Sequence, residues 1–367
     1  MNGEIRVEKK KMKEFLLNLD ITELKTALIA AGEKPFRAAQ IFRALHAGAE
    51  FSEMTELSKT LRAALDGKYV AQPVKILKTF VSADGTEKYL FSLSDGNVIE
   101  GVLMKYKYGF TLCISTQVGC RMNCAFCASG LSGLIRNLQP AEMLGEIIAV
   151  NKKQGGGLGE KRKVINVVLM GSGEPFDNYD NTVKFLRLLS APDGINVSPR
   201  NVSLSTSGLV PQMYAFANEK IPLNLTVSLH SPFDEERRKI MPVAKRYSIA
   251  EILAACENYF AATGRRYIFE YVLIKGENDT PRHAEALIGL LKGKPCHVNL
   301  IRLNAVKEKG LTAGTEKEAY RFMGVLVRGG LSATVRRKMG EDIEGACGQL
   351  RRRFLSDGDA SRNDNTD

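Results

Sequence analysis

Cys120-Arg-Met-Asn-Cys124-Ala-Phe-Cys127 sets three cysteines within eight residues, at C-x3-C-x2-C spacing. A [4Fe–4S] cube has four irons and ordinarily takes four thiolates, so three on one short loop leave one iron open. An open iron can bind and reduce a small molecule. A structural zinc site wants four ligands, as two C-x2-C pairs or with histidines. Only one such pair is present, and His46, His230, His283 and His297 are all distant in sequence. A ferredoxin-type carrier wants a fourth nearby cysteine, and none follows until Cys256. The loop therefore points to chemistry at a cluster rather than to a staple.

The loop follows the strand-like run Phe110–Ser115, the first of six. The others are Val164–Met170, Val202–Ser205, Leu223–Ser228, Tyr267–Leu273 and His297–Leu303. The pattern predicts helices over Pro140–Asn151, Asn181–Leu189, Pro211–Asn218, Ile249–Thr263, Pro281–Leu291 and Glu316–Val327. Ser248 with Glu251, and Thr315 with Glu318, fit the capping box. Thr280-Pro281 fits an N-cap followed by proline, and Gly264 fits a helix stop. Six βα units in succession imply a parallel sheet with helical crossovers, short of the eight that close a full barrel. The fold class expected is α/β, a partial (β/α)6 TIM-like barrel.

In such barrels the active site forms at the C-terminal ends of the strands. Those ends carry the cysteine loop, then Gly171-Ser-Gly173-Glu174-Pro175, Ser205-Thr-Ser-Gly208, Ser228-Leu-His230 and Asn304. Small, polar and metal-binding residues thus converge on one face.

Before the barrel, residues 14–75 repeat apolar positions at helical spacing, through Phe15, Leu16, Leu19, then Phe36, Ile41, Phe42 and Leu45. Arg37 and Arg43 lie on this module as a solvated surface or an RNA contact. Residues 88–104 flank Asp95-Gly96 with strand formers, the signal of a β-hairpin. Glu100 lies in its second strand among apolar neighbours, and the residues alone favour the solvent face for it.

The 367 residues carry a net charge of +11, which favours an anionic partner such as nucleic acid. Basic clusters lie at Lys9–Lys13, Arg336–Lys338 and Arg351–Arg353, and the polar tail after Leu355 predicts disorder. No apolar run approaches the roughly 18 residues of a membrane span, and the lysine-rich start is too polar for a signal peptide. A cytoplasmic, monomeric protein with catalytic or metal-binding cysteines is expected.

These residues together resemble the radical S-adenosylmethionine (radical SAM) adenine methyltransferases of ribosomal RNA, the RlmN/Cfr family. The resemblance is carried by Thr111-Leu-Cys113-Ile-Ser-Thr-Gln-Val-Gly-Cys120, Gly173-Glu174-Pro175, Leu204-Ser-Thr-Ser-Gly208, Val227-Ser-Leu-His230 and Gly345-Ala-Cys347-Gly-Gln-Leu350. It reaches from the helical module to about Leu350. It implies a helical RNA-binding accessory domain over 1–75, a β-hairpin linker over 76–105 and a radical SAM partial barrel over 106–340. A C-terminal segment over 341–367 would carry the methyl-carrier cysteine.

It further implies a [4Fe–4S] cluster on Cys120, Cys124 and Cys127, with S-adenosylmethionine at the fourth iron and at Gly173, Glu174, Ser205, Ser228, Leu229, His230 and Asn304. The resemblance also implies two S-adenosylmethionines per turnover: one would methylate Cys347, and the other would yield a 5′-deoxyadenosyl radical that activates this methyl group for addition to adenine C2. Glu100 matches the proton acceptor and Cys113 the thiol that resolves Cys347 through a transient disulfide. The implied substrates are 23S rRNA, at the peptidyl-transferase centre, and tRNA. The implied helpers are a one-electron donor and a disulfide reductant. A C8-adenine methyltransferase of the resistance branch, or a noncatalytic Fe–S RNA-binding protein, is the alternative. Cys256 and Cys296 match no functional position and read as inert buried thiols. Two departures stand out: Ser172, where the family often has methionine, and Arg302, where proline commonly follows the isoleucine.

Overall fold

The computed structural model describes residues 13–304 and 307–343. The chain opens on β1 (Glu14–Phe15), which pairs in parallel with β2 (Tyr69–Val70). Between them lie helices α1 (Ile21–Ala30), α2 (Arg37–His46) and α3 (Lys59–Lys68). Asp20 accepts from Thr22 and Glu23 in a capping box that starts α1, and Ser58 caps α3. Each such cap contributes about 1 kcal/mol.

Then follow β3 (Val74–Val81), β4 (Glu87–Leu93), β5 (Val98–Tyr106) and β6 (Gly109–Cys113). These four strands are antiparallel to one another in turn. Asp95-Gly96 makes the β4–β5 turn, with Gly96 at φ +83°. After β6 come the short antiparallel pair β7 (Gln117–Gly119) and β8 (Leu134–Asn137), then α4 (Pro140–Lys153).

The remaining units are β9 (Val164–Leu169), α5 (Tyr179–Leu189), β10 (Val202–Thr206), α6 (Val210–Asn218), β11 (Asn224–Ser228) and α7 (Asp234–Ile240). They continue through α8 (Ile249–Thr263), β12 (Tyr267–Leu273), α9 (Pro281–Leu291), β13 (Cys296–Arg302), α10 (Glu316–Arg328) and β14 (Ala333–Val335). Ser248 with Glu251 caps α8 and Thr315 with Glu318 caps α10, both as reciprocal boxes. Gly264 ends α8 at φ +66°. The Thr280 side chain does not cap α9. Its hydroxyl meets His283 Nδ1 at 2.7 Å instead.

One ten-stranded sheet runs in the order β14-β13-β12-β11-β10-β9-β6-β5-β4-β3. From β6 to β14 neighbouring strands are parallel. The six expected strands are therefore extended by a seventh parallel one, β14. On the other side the hairpin strands β4 and β5 join the same sheet rather than standing apart from it.

The two faces of this sheet differ in chemistry. Phe91, Ile99, Leu112, Val167, Val227 and Phe269 point outward into the main apolar core, which the helices cover. The alternate positions point inward, and many are polar. Register sets Cys113 beside Val102 and Val168, and Ser228 beside Glu270, which in turn lies beside Asn299. A period of two thus gives one greasy face and one reactive face.

Candidate active site

The cysteine loop is held by its backbone. Gly119 has φ +80°, and a Cβ there would lie 2.0 Å from the Gly133 carbonyl oxygen. Only glycine fits this approach, and Cys120 N–H donates to Gly133 O at 2.9 Å. Asn123 takes a left-handed φ of 49°. Ala125 N–H donates to Ile240 O at the end of α7, at 2.8 Å. Phe126 meets the His230 ring edge-on, centroids 4.5 Å apart.

Cys120 is buried, and Cys124 and Cys127 are partly so. Burial pushes the Cys120 thiol up to about 12, and the neighbouring Cys127 adds to this. Burial raises Cys124 as well, with Cys127 and Cys120 contributing. Three thiols in one another's field, costly to ionise alone, suit a polycationic iron core that supplies the missing positive charge. Among the described residues no three His, Cys, Asp or Glu side chains converge on one point. A cube takes one thiolate per iron and asks for no such convergence.

The second strand end lies tight against the first. A Cβ on Gly171 would fall 2.5 Å from Ile114 O, and one on Gly173, at φ +115°, 2.6 Å from Thr116 Oγ1. Gly173 is thus required by the protein's own packing. Ser172 O accepts from Thr116 N–H at 2.8 Å and Gln117 N–H at 3.1 Å. Ser172 N–H donates to Ser115 Oγ at 3.0 Å, and Ser115 Oγ donates to Glu100 O at 2.8 Å. This relay ties the glycine loop to Glu100. The Glu174 carboxylate accepts from Phe176 N–H at 3.1 Å and Ser207 N–H at 2.6 Å. It joins the second strand end to the third. Burial raises its pKa, against these hydrogen bonds.

Arg237, on α7, links the third and fourth ends. It is fully buried. Its Nη2 donates to Ser207 O at 2.8 Å and Ser228 O at 3.0 Å, and its Nε donates to Leu229 O at 3.1 Å. Leu229 is buried, and its N–H donates to Glu270 O at 3.0 Å. His230 stands at φ 58°. Its Nδ1 accepts from Val272 N–H at 3.0 Å and its carbonyl from Asn278 Nδ2 at 2.8 Å. Burial lowers His230 to about 3, so the ring is neutral. Ser205 and Ser228 are partly buried on the inner face, and Asn304 is exposed just past β13.

Glu100 is buried, against the solvent-face expectation, and meets the equally buried Lys88 at 3.1 Å. Every residue from Val98 to Met104 is buried, so β5 has no solvent face for Glu100 to occupy. Cys113 packs with Val102 and Met104 on the inner face, with Met339 against them. Cys347, the expected methyl carrier, lies outside the described residues, as do Arg351–Arg353 and Lys9. Cys256 and Cys296 are both buried in the core. Arg302 forms an ion pair with Glu316 at 3.6 Å. In the helical module, Arg43 pairs with Asp193 at 2.5 Å and Arg37 bonds Gln40 and the Glu56 carbonyl.

Sequence reasoning missed Lys88, Arg237 and Glu270. The carboxyl of Glu270 is buried mid-strand and accepts from Asn299 Nδ2 at 3.1 Å through each oxygen. A lone acid in Tyr-Ile-Phe-Glu-Tyr-Val-Leu was the available signal for it. Nothing local separates Arg237 from the adjacent Arg238.

An open parallel sheet with a three-cysteine loop after its first strand defines a radical SAM enzyme. Residues 114–287 match the radical SAM superfamily, and residues 15–70 match the ribosomal RNA large subunit methyltransferase N-terminal domain. A probable dual-specificity RNA methyltransferase RlmN of Lachnoclostridium phytofermentans is 50% identical over 339 residues, spanning 92% of this chain and 94% of that one. The protein of the same description from Clostridioides difficile (strain 630) is 49% identical, over 95% of this chain and 100% of that one. The crystal structure of a radical SAM methyltransferase from Sphaerobacter thermophilus superposes with a TM-score of 0.87 at 42% identity, over 92% and 98% of the two chains. The chain belongs to the RlmN family of RNA methyltransferases. Its superfamily works with a [4Fe–4S] cluster and S-adenosylmethionine.

Proposed function

We propose that this enzyme methylates C2 of adenine in 23S rRNA, at the peptidyl-transferase centre, and an adenine of tRNA. The observation that carries the reading is the shared inner face of Glu100 and Cys113, beside the strand ends that the cysteine loop caps. Relatives described as dual-specificity RNA methyltransferases support both substrates.

C2 lies between two ring nitrogens, is electron-poor and does not attack a methyl sulfonium as an amine would. When bound at Cys120, Cys124 and Cys127, the cluster and its S-adenosylmethionine supply the carbon radical that such a centre requires. The chain's own residues do the rest. Cys347 takes the methyl group as a thiolate nucleophile and carries it to the base. Glu100 accepts the C2 proton, and aromaticity is restored when the adduct also gives up its odd electron, for which the oxidised cluster would be the one-electron acceptor. The Lys88 ammonium balances its charge where water is excluded. Cys113 attacks the sulfur of Cys347, releasing methylated RNA and leaving a disulfide that an external thiol reductant reopens. The backbone around Gly173, Ser205, Ser228–His230 and Asn304 holds S-adenosylmethionine, with Arg237 fixing the carbonyls of Ser207, Ser228 and Leu229. The enzyme is read as a cytoplasmic monomer fed by a one-electron donor. No helix among the described residues is long and apolar enough to cross a membrane.

The test is mass spectrometry of nucleosides from ribosomal RNA and tRNA treated with the reduced, cluster-loaded enzyme. 2-Methyladenosine in both RNAs is expected. 8-Methyladenosine overturns the position of attack. RNA binding without release of 5′-deoxyadenosine overturns the enzyme reading altogether.

A further inference from the structure

The three bonds of Arg237 all go to neutral carbonyls: Ser207 and Ser228 from Nη2, and Leu229 from Nε. The third nitrogen, Nη1, is buried and has no hydrogen-bond partner among the described residues. A guanidinium stays charged in proteins and donates from all three nitrogens. Asp234, one turn earlier on α7, acts on it through space only, and its carboxylate accepts from Ile249 N–H at 2.9 Å. A cation sealed from water without an anion against it is costly, and so is a buried donor with nothing to donate to. One anionic acceptor at Nη1 removes both costs. A buried water would satisfy the donor but not the charge.

The surroundings point to the acceptor. Arg237 and Ile240 stand three residues apart, on one face of α7. Ile240 O accepts from the N–H of Ala125, the residue after Cys124, and the Ile240 side chain packs with Phe126. That face of α7 therefore lies along the cysteine loop. Phe126 in turn meets His230, the neighbour of the Leu229 carbonyl that Arg237 holds. Burial raises the Cys124 thiol, and the charge of Arg237 opposes this. Burial lowers Arg237, and Cys124 opposes that. The guanidinium and the middle cysteine of the loop thus lie within each other's field. A cube held by three thiolates is a net anion and becomes more negative on reduction.

We propose that Nη1 of Arg237 donates to a sulfur at the Cys124 corner of the [4Fe–4S] cluster, and that this charged bond favours the reduced cube. The proposal rests on the reading of Cys120, Cys124 and Cys127 as the cluster ligands. Hydrogen bonds to the sulfurs, net charge and solvent exposure set the reduction potential of such a cluster. Reduction adds negative charge, which a donor borne on a cation stabilises more than a neutral donor does. Removing the guanidinium should therefore lower the one-electron reduction constant about tenfold or more, a downward shift of about 59 mV or more.

The test uses the full-length, cluster-loaded protein, reduced anaerobically with dithionite and without S-adenosylmethionine. Its arginines carry heavy nitrogen in the guanidinium. Pulsed EPR of the reduced cube should show coupling to that nitrogen. The coupling should persist in Arg121→Lys, a side chain that follows Cys120 but donates to Asp177, and disappear in Arg237→Lys. In a redox titration Arg237→Gln should lower the reduction constant about tenfold or more, at parent iron content. Arg237→Lys, which keeps the charge, should lie between the two. A parent cluster without the coupling overturns the proposal whether or not any variant folds. So does a coupling that survives Arg237→Lys, or an Arg237→Gln constant equal to the parent's. A constant that moves only once S-adenosylmethionine is added also overturns it, and gives Nη1 to that ligand instead. A parent protein that holds no [4Fe–4S] cluster on the three cysteines overturns the ligand reading, and the proposal with it.

Discussion

Lys88 and Glu100 are opposite charges placed where no water reaches, 0% and 3% exposed at 3.1 Å. Such a pair gains little net stability, but breaking it on one side strands the other charge. Lys88→Met should therefore lower unfolding free energy by about 3–5 kcal/mol, measured by urea denaturation. Lys88→Met with Glu100→Gln should recover much of that loss in stability while leaving RNA methylation absent. Full stability in the single variant would mean that the carboxylate finds its charge balance elsewhere. Glu100 also marks where residues alone mislead. Half-buried strands alternate, and a carboxylate in one is assigned to the wet side. β5 is buried on both faces from Val98 to Met104, so that rule has nothing to act on. Arg237 was hidden in another way. It lies in the charged run Asp-Glu-Glu-Arg-Arg-Lys, where a buried arginine and its exposed neighbours look alike.

Helix α2 docks on the barrel partly through His46, whose Nδ1 accepts from Ile195 N–H at 3.3 Å. Burial lowers its pKa from 6.5 to about 4. The folded protein thus holds this ring neutral, while the unfolded chain takes up a proton below 6.5. Stability from this group is full above pH 6.5 and is lost as the pH falls towards 4, to a total of about 3 kcal/mol at most. His46→Gln keeps an acceptor for Ile195 and should flatten that part of the acid limb in denaturation curves taken from pH 7 to 4. An unchanged limb would place the acid sensitivity in other groups.

Elements were legible where they carried their own punctuation. Helix α8 follows its capping box to a stop at Gly264, and α9 starts at its proline. The β4–β5 hairpin follows Asp95-Gly96. Helix α7 has seven mostly charged residues and no apolar stripe, and β14 has only three residues. Neither carries a periodic signal of its own. That β4 and β5 join the barrel sheet is a choice of distant partners, which no local pattern records.

At the scale of the whole molecule, the charge of +11 makes binding to RNA an exchange of counterions. Affinity for substrate RNA should fall at least about tenfold between roughly 50 and 200 mM salt, with log affinity linear in log salt. Filter binding or fluorescence anisotropy measures this, and a flat profile would remove charge as the source of affinity. The peptide over residues 336–343, bonded at Asp342 and Gly340 to the turn between β3 and β4, bears on how the molecule comes into being. Its bond from Ser82 to Asp342 joins positions 260 residues apart. Closing so long a loop is among the last acts of folding, after nearly the whole chain has been synthesised. Until then the inner-face cluster of Val102, Met104 and Cys113 lacks the packing of Met339, and the apolar side of the barrel interior is incomplete.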